Sequence, residues 1–84
     1  MNNQGKNRIR TVKALRVGMR VIFHSIGLRP RHVTITEIDR TWQTIAFEFS
    51  AQSGKGPESH SYIELGIGRY QKGCWRGYYW LSPT

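Results

Sequence analysis

With 84 residues the chain has room for one domain, and a body of that size buries only about 60–65% of the surface its unfolded chain exposes, so each large side chain matters. Thirteen Lys and Arg against five Asp and Glu leave a formal net charge of +8, which favours anionic partners, nucleic acid first, and disfavours an acidic surface role. The single cysteine, Cys74, excludes an internal disulfide, and no stretch approaches the length of a membrane span; a reducing cytoplasm, no export signal and no membrane partner are expected.

Residues 1–10, MNNQGKNRIR, are polar and cationic and cannot offset the entropy of ordering themselves, which predicts a flexible basic arm ahead of one domain over 11–84. A short turn is allowed near Thr11 to Leu15. Gly18 then introduces a first strand in which Met19, Val21 and Phe23 alternate with Arg20, Ile22 and His24. Gly27 and Pro30 break the pattern into a loop that carries Arg29, Arg31 and His32. Val33 to Ile38 is β-branched and alternating, a second strand, and after the polar break Asp39-Arg40-Thr41 a third runs from Trp42 to Phe49 with Ile45, Phe47 and Phe49 on one side. Residues 50–59, SAQSGKGPES, lack a large apolar residue and read as a mobile hairpin tip. His60 to Leu65 is expected as a fourth strand with Ile63 and Leu65 facing inward, and Trp75 to Ser82 as a fifth. Sustained helical periodicity is missing. The fold class is therefore mainly β: a small five-stranded antiparallel barrel whose core is Val21, Phe23, Val33, Ile35, Ile45, Phe47, Ile63 and Leu65.

The stretch LRVGMRVIFHSIGLRPRHVTITEID resembles the opening of an SH3-like barrel of the KOW or Tudor-like kind, with a glycine-led strand of the form G-x-x-V, a basic Gly-containing loop, and a second strand ending in an aliphatic flanked by acids. Gly18, Val21, Gly27, Val33 and Ile38 stand at the matching places, and Pro30-Arg31-His32 replaces a second loop glycine. The likeness covers roughly residues 15 to 40. It implies association with RNA, DNA, or ribosome and polymerase assemblies.

Eight cations, Lys6, Arg8, Arg10, Lys13, Arg16, Arg20, Arg29 and Arg31, precede the first acid, Glu37. Such an acid-free run suits phosphate contacts, and the preference for Arg over Lys favours bidentate grips. The candidate nucleic-acid contacts are Lys6, Arg8, Arg10, Lys13, Arg16, Arg29, Arg31 and His32. In the last strand, alternation puts Trp75, Tyr79 and Leu81 on one face and Arg76, Tyr78 and Trp80 on the other. Arg76, Tyr78 and Trp80 then either form an exposed stripe on which bases stack or cover a second small cluster beneath the N-terminal segment or at an oligomer interface.

His24, His32, His60 and Cys74 match no zinc-ligand spacing, and the acids Glu37, Asp39, Glu48, Glu58 and Glu64 are scattered, so neither a metal, another cofactor nor a catalytic group is expected. The sequence reading is a non-enzymatic binder of RNA or single-stranded DNA, monomeric or a small homo-oligomer. Its rivals are an SH3-like protein-interaction module, for which the same rings would form a peptide groove, and an assembly protein that associates through sheet edges.

Overall fold

A computed structural model describes residues 8–68 and 79–84. Five strands form one antiparallel sheet: β1 Arg20–Ser25, β2 Arg31–Asp39, β3 Thr44–Phe49, β4 Glu58–Ser61 and β5 Tyr79–Pro83, in the spatial order β4-β3-β2-β1-β5. Two single-turn 3-10 helices, Val12–Ala14 and Ala51–Ser53, complete the elements.

The alternation predicts the inner face of the central strands. Cross-strand pairing puts Val21, Phe23, Val33, Ile35, Ile45, Phe47 and Phe49 on one side, and all are buried. Ile35 and Ile38 are three apart, which would place them on opposite faces of a regular strand. A register shift between Ile35 and Glu37 inserts one extra residue, so that Ile38 pairs with Ile45 and packs on the same core. Gly18, at φ 90°, makes the turn into β1, and its N–H donates to Ile35 O at 2.7 Å.

Two expected strand boundaries are corrected. β4 ends at Ser61, because Ser61 and Glu64 exchange bonds: the Ser61 N–H donates to Glu64 Oε1 at 2.9 Å and the Glu64 N–H to Ser61 Oγ at 3.1 Å. This reciprocal pair is a capping box, and it curls the chain into a helical turn that delivers Leu65 to the core and leaves Ile63 only half-buried outside it. Likewise β3 begins at Thr44 rather than Trp42, since Asp39 Oδ1 accepts the Trp42 N–H at 2.9 Å and Gln43 takes a φ of 56°.

The sheet is also not closed into a barrel among the described residues. Pairing strands lie about 4.8 Å apart, but rings fill the seam between the two edge strands: His60 of β4 and Tyr79 of β5 meet at 4.5 Å between centroids, and both stack on Phe23. Side chains, not a backbone ladder, join these edges.

Of the expected arm over 1–10, residues 8–10 are described. Ile9 is 7% exposed and belongs to the core, its N–H donates to Leu81 O at 2.8 Å, and the Arg10 carbonyl accepts the Gly68 N–H at 2.8 Å. From Arg8 onward the basic segment is docked, because one isoleucine and two backbone bonds anchor it across β5 and the turn before Gly68. Residues 1–7 lie outside the described residues.

Candidate functional site

The outer face of the sheet carries two groups of the expected contact residues. In antiparallel register Ile22 faces His32, and Arg20 faces Thr34, which in turn faces Glu48. Beside them, at the end where β2 starts and β3 finishes, lie two adjoining hollows. One of about 170 Å³ is lined by Arg31, His32, Phe49, Ser50 and Ser53. The other, of about 130 Å³, is lined by Arg20, His32, Val33, Thr34, Glu48, Phe49 and Ser50. His32, Phe49 and Ser50 are common to both.

Local structure explains the placement. β2 starts at Arg31, immediately after Pro30, which has no N–H to give a ladder. Arg31 and His32 therefore leave the strand end on opposite faces and straddle the sheet margin. Ser53 caps its own turn by donating from Oγ to Ser50 O at 2.8 Å, and the Lys55 N–H donates to Ser53 Oγ at 3.1 Å. This ties down the rim and brings the Lys55 ammonium to 5.2 Å from the centre of the Phe49 ring. No carboxylate forms an ion pair with Arg20, Arg29, Arg31 or Lys55 among the described residues, and Glu48 is the one acid in either lining. Three hydroxyls, an imidazole and two guanidinium groups line the two hollows against one carboxylate, an excess of donors and positive charge that suits an anion.

The second group gathers around Trp80, which pairs with His24 across β1 and β5. The two rings lie flat on each other, 4.9 Å between centroids and 3° between planes, and the guanidinium carbon of Arg8 sits 4.6 Å from the centre of the indole. His24 Nε2 and Ser82 Oγ share a hydrogen bond of 2.8 Å. Burial, and next the positive charge of Arg8, hold the His24 pKa below its ordinary value. Trp80 is only 6% exposed. Of the two alternatives the sequence left open for Trp80, its burial beneath Arg8 agrees with the small cluster under the N-terminal segment and not with an exposed stacking ring.

Lys13 on the first short helix and Arg16 in the turn before β1 are exposed but do not line the hollows, and Arg29 stands exposed in the loop just before Arg31. Arg10 is exposed with a partner of its own. Lys6, Arg76 and Tyr78, like Cys74, lie outside the described residues. The three histidines are in three places: His24 against Trp80, His32 in the hollows, and His60 between Glu58 Oε1 at 2.9 Å and Glu64 Oε1 at 3.5 Å. Among the described residues no group of three or more His, Cys, Asp or Glu is placed to hold a metal.

Arg20, Lys55 and His24 belong to these surfaces and were not among the expected contacts. Arg20 had a signal, since it alternates with Val21 and so must face outward. Lys55 had none, because its position depends on how residues 50–57 fold back over Phe49.

Fold and site together define a small, strongly basic, mainly β chain with two adjoining hollows at one sheet margin. Comparisons with known protein families, with curated proteins and with solved structures find no match. No helix among the described residues is long and apolar enough to cross a membrane.

Proposed function

We propose that this chain binds nucleic acid, RNA or single-stranded DNA, as a non-enzymatic module, and that the paired hollows receive its backbone. The observation that carries the reading is the pair of guanidinium groups without an ion-pair partner among the described residues, Arg20 and Arg31, each lining one of two adjoining hollows that share His32, with the Lys55 ammonium over the Phe49 ring beside them. Arg supplies a planar fork for phosphate oxygens, and the largely buried Phe49 ring forms a wall of both hollows. An antiparallel meander whose fifth strand returns to pair with the first also supports the SH3-like reading. A single strand suits the site better than a sequence-read duplex, because the described residues present no helix long enough to enter a major groove.

The second reading, a protein-interaction module, is favoured by one observation: Trp42 projects from the β2–β3 turn, 79% exposed.

Titration of labelled single-stranded RNA, single-stranded DNA and duplex DNA at several salt concentrations separates the readings. The parent should bind a single strand most tightly, and the double variant Arg20→Gln/Arg31→Gln should lower the logarithmic salt slope by about 0.7 per lost phosphate contact. Absence of binding to all three probes, or an unchanged slope in the double variant, would sink the proposal.

A further inference from the structure

Resting on the nucleic-acid reading, we propose that the tip of the β1–β2 hairpin is an apolar wedge: Ile26 and Leu28 enter the base stack of the strand whose phosphates Arg29 and Arg31 hold.

The tip is built to protrude. The Leu28 N–H donates to Ser25 O at 3.0 Å, closing a four-residue turn, and Gly27 in its third position has a φ of 83°, the left-handed value that a type II turn requires there. A carbon placed on Gly27 would meet nothing within 4 Å, so this part of the loop stands clear of the body. On such an isolated tip, sequence chemistry would ordinarily place polar groups. Instead Ile26 is 56% exposed and Leu28 66% exposed. Both are branched aliphatics whose exposure is unfavourable in water and gains nothing for the sheet below.

The flanks carry the second half of the argument. Arg29 and Arg31 follow the tip at once, both exposed, and Arg31 is at the same time a wall of the larger hollow. Between the N-terminus and Glu37 the chain has no acid to neutralise them. Apolar side chains bordered by cations are the chemistry that opens a base step, since the cations hold the phosphates on either side while the aliphatic carbons replace the lost stacking surface. Aliphatics among cations also suit an anionic lipid surface. The hollow decides between them: a flat lipid surface would touch the protruding tip and leave the recess beside it unfilled, whereas a strand that passes the tip continues into the recess.

The test uses a short single-stranded DNA carrying 2-aminopurine, whose emission rises when it is unstacked, with the full chain as titrant. Binding of the parent should brighten the probe several-fold. Ile26→Ser/Leu28→Ser should retain its circular dichroism, since both side chains are exposed, and keep the parent salt slope, yet bind about tenfold more weakly and leave the probe dark. A double variant that binds and brightens the probe like the parent overturns the wedge. So does a parent that binds without brightening; in either case loss of binding in Arg20→Gln/Arg31→Gln shows that the nucleic-acid reading survives. If the parent ignores the oligonucleotide but sediments with phosphatidylserine vesicles, and Ile26→Ser/Leu28→Ser does not, the tip serves a lipid surface and both proposals fall.

Discussion

Tyr79 and Trp80 are neighbours in sequence and lie on opposite faces of one sheet. Tyr79 stacks on Phe23 and meets His60 at a tilt on the inner face, where Phe47 and Phe49 extend the ring cluster, while Trp80 rests on His24 beneath Arg8 on the outer face. Each face also holds an imidazole, in opposite electrostatic company. His60 has a carboxylate oxygen near each ring nitrogen, whereas His24 has a guanidinium nearby whose charge opposes its protonation. The inner cluster is further closed by Ile9, Leu15, Leu65 and Ile67. Each face also buries a polar atom with no hydrogen-bond partner among the described residues, Tyr62 Oη in the inner cluster and Trp80 Nε1 in the outer stack. One face is sealed by carbon from several directions. The other is sealed by a short stack of polar and charged groups, so its cover is cheaper to remove and responds to pH.

Truncation gives the largest expected difference. Phe47→Ala, at a fully buried ring with three aromatic partners, should cost about 3–5 kcal/mol in denaturant unfolding. Trp80→Ala should cost less, about 2–3 kcal/mol, because the lost packing is partly offset by release of an indole N–H without a partner. If the order of the two is reversed, the outer stack is the stronger seal and the comparison breaks.

The smallest effect is electrostatic and sharpens the comparison. The folded-state pKa of His24 lies below its unfolded value of about 6.5, so protons bind the unfolded chain more readily. The stability contributed by neutral His24 is therefore present above about pH 6.5 and is lost as the pH falls from there towards the folded value. Facing it are Arg8, Trp80 and Ser82. Unfolding midpoints measured from about pH 7.5 to about pH 5 should fall in the parent and fall less steeply in His24→Gln. Equal slopes would assign the pH dependence to other groups.

Much of the central sheet was legible because a strand's facing is a local property. The period-2 pattern assigned Val21, Phe23, Val33, Ile35, Ile45 and Phe47 to the inner face, and Gly18 marked the turn that precedes them. Of the candidate site, Arg31 and His32 were legible as a basic loop margin and do line a recess. Ile63 was misplaced although its signal was present: Ser61-x-x-Glu64 is a capping box, and it outweighs a brief alternation. Trp80 was left open between two faces of equal aromatic content, since periodicity says which residues share a side and not which side is covered.

Composition and periodicity thus determined on their own that the chain is a basic, mainly β domain, which residues share a face along β1 to β3, and where cations without acids accumulate. Tertiary structure alone decided that the edges meet through His60 and Tyr79 instead of a backbone ladder, that Ile9 draws Arg8 onto Trp80, and that Lys55 reaches Phe49. The first set follows from steric alternation within a few residues. The second depends on contacts between segments as far apart as Arg8 and Trp80, whose closure entropy is offset only when the whole core has formed.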